Sequence, residues 1–516
     1  MSLLLVAGCQ SETRPFPNQH PPTTATAVSR PTTAISPTAT PQPSPSTPTP
    51  LPTATPAPLP AYTLAVPEQW LNAVETAVSQ QHTFTIIPYT ATNPAAELAN
   101  GQADIALIPG DNGQPAIRQP LAFAVPFTTE WETTTAEFAT EVMQNGHNLI
   151  TVLPWNAMPP THKALRINGQ HPLDEGYPFV QTWSLQGHDG TETAVSQLTP
   201  LFQTAATPPT LHLAAVGDIM LARALGQAIT QGSIDYPFAQ FAASLQTADL
   251  TIGNMESALG DTGTPASKRY PFQAPPAAAQ SLANAGFDLV SLANNHAMDY
   301  GAEALLQAIA LLNEQGVTPI GAGANEEAAH TPAVVQKNGI TLAFLAYVNV
   351  PVESSTGFDT ATWTATAVSP GLAWADPDRI RQDVAAIAPT VDHTIVVLHS
   401  GYEYIAEPSP PQIAAAHAAI EAGASLVIGH HAHILQGIEF YQDGIILYGT
   451  GNFAFQITGD PETAVFHIWL DKEQIREIGI QPAIIQADGQ PRPALPEEAA
   501  QIRQRLYWLT TILNPQ

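Results

Sequence analysis

Three histidines, His430, His431 and His433, fall within four positions in the stretch VIGHHAHILQG (427–437), directly after a short apolar run. Neutral imidazole is a common metal ligand. A His-x-His pair on an irregular turn can aim two ring nitrogens at one point while the residue between them points away. His431 and His433 therefore form one pole of a candidate metal centre, and His430 competes with His431 because the register of so short a turn is open. Residues upstream offer an opposite pole. Asp218 and Glu256 bring anionic oxygens, Asn295 a neutral amide oxygen and His399 a further nitrogen. Such a mixed set suits one or two divalent cations, Mn, Zn or Fe rather than Ca. Two ions about 4 Å apart can activate a water and clamp the oxygens of a tetrahedral or bipyramidal transition state, which is hydrolysis without a covalent enzyme intermediate. His296, beside Asn295, is placed to protonate a leaving group. Asp299, three residues on, either orients that ring or caps the helix beginning near Tyr300.

Each of these residues closes an apolar run that reads as a strand. LHLAAV leads into Gly217-Asp218, ADLTIG into Asn254-Met255-Glu256, FDLVSLA into Asn294-Asn295-His296, HTIVVL into His399, and ASLVIG into the histidines. Helices fit between them at 276–285, 302–315, 377–387 and 410–422. Strands alternating with helices imply an α/β fold, which takes its ligands at the carboxyl ends of the strands. Packing alone does not explain why five strands should each end in a carboxylate, amide or imidazole. Beyond the histidines, IEFYQDGIILYGTGNFAF predicts a hairpin turning at Asp443-Gly444, ETAVFHIWLD continues the β structure, and 496–513 reads as a closing amphipathic helix.

A separate α/β unit precedes this one. Over 61–207, YTLAV, FTIIPY, ADIALIP, LAFAVPF and NLITVLP read as strands, with helices in PEQWLNAVETAVSQQ, NPAAELANG and TTAEFATEVMQNG, which predicts a mainly parallel sheet. Its element order loosely resembles a lobe of periplasmic solute-binding proteins. TAATPPT, at 204–210, reads as the linker to a second unit over 208–516. Residues 10–60 are almost entirely Pro, Thr, Ser, Ala and Gln, too poor in large apolar side chains for a core, and read as a disordered, semi-extended tether. Residues 1–9 end at Cys9, the single cysteine, so an intramolecular disulfide and a thiolate metal cluster are both excluded. LLLVAGC resembles the end of a bacterial lipoprotein signal, in which Cys9 is lipidated, although its apolar run is short and no Lys or Arg precedes it. No later segment offers about 18 uninterrupted apolar residues.

The chain has 516 residues and a formal net charge of −28, from 44 acidic and 16 basic side chains. No basic stretch tracks a phosphate backbone, which argues against nucleic acid as a partner. An anionic substrate would need local attraction, and bound cations supply it.

The motifs AVGDIMLAR, GNMES, SLANNHAMDYG, VVLHSGYEY, VIGHHAHILQG and ILYGTGNFAF, in that order over 211–455, resemble the CapA family of capsule and poly-γ-glutamate synthesis proteins. That family is similar in turn to the calcineurin-like metallophosphoesterases. The resemblance implies a four-layer αββα sandwich with metals at the strand ends, here preceded by the smaller α/β domain and the tether. It implies Asp218 as the first-strand ligand, Glu256 as the bridging carboxylate and Asn295 as the amide ligand. His399, His431 and His433 would be imidazole ligands and His296 the leaving-group acid. Two departures bear on the metals. Asp218-Ile219-Met220 stands where the wider superfamily has Asp-x-His, and Asn254-x-Glu256 where it has a Gly-Asp pair with a further Asp. One metal is then weakly held or differently ligated. Glu403, in HSGYEY, compensates if its loop folds back, or is a solvated or helix-capping glutamate. Lys268 and Arg269, in SKRYPFQAPP, lie at the site mouth and attract an anionic polymer, or are an ordinary solvated pair.

The implied protein is an extracytoplasmic, membrane-anchored lipoprotein of the cell envelope. It would be a metal-dependent hydrolase of phosphoester or γ-amide bonds, acting on or processing an anionic cell-surface polymer such as poly-γ-glutamate, with other capsule-synthesis proteins as partners. The alternative is a non-catalytic polymer-binding or export accessory, and a third option is a solute-binding lipoprotein. The absent imidazole favours the accessory, and the Asn295-His296 pair favours catalysis.

Overall fold

LHLAAVGDIM forms the strand Leu211–Met220, buried along nearly its whole length. Continuous burial is what a central strand covered on both faces requires. It lies in an eight-stranded sheet in the order Thr318–Ile320, Leu289–Ser291, Leu250–Met255, Leu211–Met220, Glu462–Leu470, Ile475–Ile485 and Pro491–Pro493, with Asn452–Phe455 also paired to Leu211–Met220. The first four of these are mutually parallel, so their carboxyl ends share one edge. A six-stranded sheet runs Ala333–Lys337, Ile340–Asn349, His393–Ser400, Leu426–His430, Gly444–Leu447 and Ile438–Tyr441. Its inner strands Ile340–Asn349, His393–Ser400, Leu426–His430 and Gly444–Leu447 are again parallel. The chain is thus a mixed α/β protein. The structure is a computed structural model describing residues 59–515, apart from 80–82, 207–208, 351, 354–356 and 457–458. Cys9, the signal-like segment and the Pro/Thr-rich stretch up to 58 lie outside the described residues.

Period-two alternation fixes which side of the six-stranded sheet meets what. Leu342, Phe344, Val397 and Ile428 join Leu213, Ala215, Ile252 and Val290 of the eight-stranded sheet in one hydrophobic cluster. The intervening residues Leu345, Tyr347, Val396, Leu398 and Val427 pack instead with Ile380 and Val384 of helix Pro377–Ile387 and with Ala415 and Ala419 of helix Pro410–Glu421. Helix Pro410–Glu421 opens with a capping box between Ser409 and Gln412 and with proline in its first turn. The hairpin turns at 442–443, with Gln442 at φ 50, and the closing helix is Pro496–Leu513.

The first sheet differs from its expected form. It has seven strands, in the order Thr85–Thr90, Ala61–Val66, Ile105–Pro109, Val180–Gly187, Gln114–Pro126 and Thr151–Pro154, with His162–Ala164 also on Gln114–Pro126. Only the pairings made by Ala61–Val66 are parallel, and the rest are antiparallel, so the sheet is mixed rather than mainly parallel. LAFAVPF proves to be the second half of a 13-residue strand. Its only link to Ile105–Pro109 is 110–113, too short for a helical crossover, and Val180–Gly187 fills the space between the two strands, antiparallel to both.

Buried polar contacts tie this sheet to the eight-stranded one. Glu477 accepts from Trp155 Nε1 at 3.0 Å and from the Ala164 amide at 3.1 Å, and it pairs with His171 Nε2 at 3.0 Å. Burial alone would raise its pKa, but the His171 charge and these donors outweigh that and hold it lowered. Nearby, the rings of His171 and His212 each stack on Trp469, and His212 Nε2 meets His467 Nδ1 at 2.9 Å. Burial lowers both His212 and His467 to about 4, His467 further depressing His212 while Asp249 partly offsets the effect. Between pH 6.5 and 4 the unfolded chain takes up protons that these folded rings refuse, so stability present above about pH 6.5 is lost on acidification through that window. Thermal melts across pH 4–7 should show a shallower acid slope for His467→Gln than for the parent chain. Parallel slopes would remove the pair from the cause.

Candidate metal centre

Two glycines allow the strand ends to converge. A Cβ on Gly217 would lie 2.1 Å from the Gly451 carbonyl oxygen, and one on Gly429 would lie 2.0 Å from that of Tyr448. Only a residue without a side chain permits backbones this close. Asp218 is thereby set beside Asn452 across the pairing of Leu211–Met220 with Asn452–Phe455, and the histidine turn is held against it. The strand carrying the turn ends at His430, after which His431 (φ 83) and His433 (φ 58) both take left-handed backbone. Each such residue costs on the order of 1 kcal/mol, a strain found mainly where function demands it.

Donor atoms of Asp218, Glu256 and His399 lie within 4.8 Å of one another, and so do those of Glu256, His431 and His433. All five residues are buried, and Glu256 is common to both sets. Glu256 Oε1 is 3.5 Å from His399 Nε2, and its Oε2 is 3.8 Å from His433 Nδ1. Both Glu256 oxygens and His431 Nδ1 are buried without a hydrogen-bond partner. An orphaned buried carboxylate facing imidazoles is costly unless a cation completes it, so these residues fit a divalent metal.

The electrostatics agree with that chemistry. Burial opposes ionisation of Asp218, yet hydrogen bonds from His430 and His433 outweigh it and hold its pKa well below the usual range. Glu256 is pushed well above its ordinary value, first by burial and then by the Asp218 charge. Burial lowers His399 well below 6.5 and takes His431 to about 3, with neighbouring imidazoles adding to both shifts. His433 runs the other way, to about 10: burial works against it, but Glu256 and Asp218 together prevail. Asp218 is thus held charged and Glu256 is pushed towards its neutral form, with neutral imidazoles at His399 and His431 and a protonated one at His433.

Asn295 Oδ1 lies 2.8 Å from His399 Nε2, at the edge of the first donor set. His430 takes a different place from its two neighbours. Its Nδ1 contacts Asp218 Oδ1 at 3.1 Å and Thr450 Oγ1 at 3.1 Å, and it belongs to neither donor set. Met220, at the position where the wider superfamily has histidine, is buried with Ala222 and Phe455 in a small apolar cluster. His296 Nδ1 is 2.6 Å from Asp299 Oδ2, and that same oxygen accepts from the Phe272 amide. The next helix, Gly301–Glu314, is preceded by Tyr300 with no side-chain cap, so Asp299 does not cap it.

Lys268 and Arg269 part company. Lys268 is buried, and its Nζ donates to Asp299 Oδ1 at 2.7 Å and to the Asn295 carbonyl. Arg269 is exposed over the Tyr270 ring. Glu403 sits in the exposed turn after His393–Ser400; it belongs to neither donor set, although its charge helps to raise Glu256 and His433.

Three asparagines escaped the candidate set. Asn254 Nδ2 donates to Asp218 Oδ1 at 2.8 Å and lies 3.1 Å from His399 Nδ1. Asn294 Oδ1 accepts from the His296 amide, and its Nδ2 donates to Asn254 Oδ1. Asn452 Oδ1 is 2.9 Å from His433 Nδ1. Such outer partners fix ring orientation and tautomer. The GNMES, SLANNHAMDYG and GTGNFAF motifs contain them, and the signal available was their position beside each ligand.

A family model described as "Bacterial capsule synthesis protein PGA_cap" matches residues 212–457. "Capsule biosynthesis protein CapA" of Bacillus anthracis is 30% identical over 293 residues, which is 55% of this chain and 69% of the relative. "PGA biosynthesis protein CapA" of Bacillus subtilis is 31% identical over 243 residues, 46% of this chain and 62% of the relative. A "Probable polyglutamine synthesis accessory protein" of Mycobacterium tuberculosis is 34% identical over 170 residues, 31% of this chain and 43% of the relative. Among solved structures, a hypothetical protein from Thermus thermophilus aligns with a TM-score of 0.35 at 16% identity, over 53% of this chain and 98% of that one.

Proposed function

Because this chain belongs to the CapA family of bacterial capsule synthesis proteins, we propose that it is a metal-dependent hydrolase acting on an anionic polymer of the cell surface, in capsule or poly-γ-glutamate biosynthesis. The observation that carries this reading is the buried Glu256, whose orphaned oxygens are shared by two sets of metal donors. Asp218, Glu256 and His399 would hold one divalent ion and Glu256, His431 and His433 a second, with Asn295 beside the first. Mn, Zn or Fe suits these donors. Bound there, such ions supply Lewis acidity and lower the pKa of water.

The chain's own residues supply the rest. His296 passes a proton to the departing oxygen or amine. Its Nδ1 is tied to Asp299, so Nε2 is the nitrogen that exchanges the proton. Lys268 pins Asp299 and is a positioning residue rather than a polymer contact. Two sheets sharing one cluster, with helices on the far side of the six-stranded one, support reading 208–516 as an αββα metallophosphoesterase-like sandwich, and a sheet of its own supports reading 61–207 as a smaller α/β domain packed against it. No helix among the described residues is long and apolar enough to cross a membrane. We place the chain at the cell envelope through lipid on Cys9, with capsule-synthesis proteins as partners. Labelling of expressing cells with a palmitate analogue should mark the parent chain and not Cys9→Ala, and an unlabelled parent chain would remove the anchor.

A second reading has one observation behind it: Met220 is buried where a ligand histidine would complete the first set, which favours a polymer-binding accessory that turns nothing over. The purified chain separates the two. Metal content should be stoichiometric, and poly-γ-glutamate or a generic phosphodiester should be cleaved with Mn²⁺ or Zn²⁺. Metal without turnover of either substrate would select the accessory.

A further inference from the structure

Arg223, the last residue of AVGDIMLAR, holds a left-handed backbone at φ 49. Arginine gains nothing from that conformation, so the placement it achieves is informative. The guanidinium lies over the ring of Phe272, 4.6 Å from its centroid, and the Phe272 ring is itself 4.6 Å from that of His296. One aromatic ring therefore separates this cation from the candidate proton donor. Arg223 is exposed and forms no ion pair among the described residues; its Nη1 donates only to the Gln456 carbonyl, at 3.3 Å.

Beside Arg223 is a cavity of about 550 Å³. Gln227, Gln231 and Gln273 line it, and the side chains of Gln227 and Gln231 make no hydrogen bond among the described residues. Its one lining carboxylate, Asp261, accepts from Gln307 Nε2 at 2.6 Å. Ala222 lines the cavity as well and packs in the cluster of Met220 and Phe455, and the Phe455 ring is 5.3 Å from that of His433. A cation without a carboxylate partner, next to unengaged side-chain amides, matches a chain that carries both carboxylates and amide bonds. The guanidinium fork takes a carboxylate in two parallel hydrogen bonds, and side-chain amides pair with amide groups of either polarity.

We propose that Arg223 and the adjoining cavity form a subsite for a carboxylate-bearing unit of an anionic polyamide, next to the unit whose bond lies at the metal centre. This rests on the reading of the site as one that handles an anionic polymer such as poly-γ-glutamate, and it assigns the residues that take the carboxylate of a neighbouring unit. Within a chain of net charge −28, the subsite gives that polymer one specific point of attraction besides the metals.

The test is binding of a fluorescent poly-γ-glutamate oligomer to the metal-loaded full chain, alongside the same oligomer with its carboxylates amidated. The parent chain should prefer the charged oligomer. Arg223→Gln should weaken that binding about tenfold and leave the amidated oligomer unaffected, and Arg223→Lys should fall between, keeping charge without the fork. Arg223→Gly guards against misfolding: it should melt higher than the parent chain, because the strained backbone is relieved, and still bind about tenfold more weakly. Equal affinity of Arg223→Gln and the parent chain for the charged oligomer overturns the subsite alone. A parent chain that binds charged and amidated oligomers equally overturns both the subsite and the polymer reading.

Discussion

Replacing His296 by alanine is expected to lower kcat on a cleaved polymer or phosphodiester by about a thousandfold while leaving metal content unchanged. The ring belongs to neither donor set, so its loss spares the ligands. It does remove the group whose proton the leaving atom must receive. Asp299→Asn should cost less, roughly ten- to a hundredfold, because the ring stays in place but loses the carboxylate that fixes its tautomer. Steady-state kinetics with parallel metal analysis separate the outcomes. A fall in kcat that tracks a fall in bound metal would make His296 a ligand, and an unchanged kcat would remove it from the chemistry.

Glu256→Gln should act on both metals at once and should reverse sign with metal. Glu256 is the one residue common to the two donor sets, so the variant is expected to lose both ions, whereas His399→Ala and His431→Ala should each weaken one. Without metal, the parent chain buries a carboxylate whose oxygens have no partner beside the charged Asp218. A neutral amide relieves that burial, so in chelator Glu256→Gln should melt above the parent chain by a margin equivalent to about 1–3 kcal/mol. In saturating Mn²⁺ or Zn²⁺ the order should invert, since only the parent chain gains binding free energy. Differential scanning calorimetry in both conditions reads the crossing. A variant less stable than the parent chain in chelator would mean that Glu256 is satisfied by contacts within the protein.

The polar ends of the strands were legible in the sequence because a buried strand is a continuous apolar run, and whatever interrupts it must sit at an edge. Asp218, Glu256, His399, His431 and His433 stand out that way, and their donor atoms come together in two groups. What separates His430 from His431 is not legible, because it lies in the left-handed backbone of His431 and His433, a conformation that residue type alone does not signal. Lys268 reads locally as a solvated loop cation. It is buried with the Asp299 carboxylate, 31 residues away, and the Asn295 carbonyl folded onto it, a non-local fact. The first sheet lost its expected parallel order for a related reason. Apolar runs mark strands, but only the length of the links between them and the partner each edge finds decide direction.

The most direct measurement is anomalous diffraction from a crystal soaked in Mn²⁺ or Zn²⁺. Two peaks are expected, one contacting Asp218, Glu256 and His399 and the other Glu256, His431 and His433, with Glu256 bridging them. An absence of density at Glu256, or metal bound away from it, would contradict the assignment of these strand ends as a metal centre.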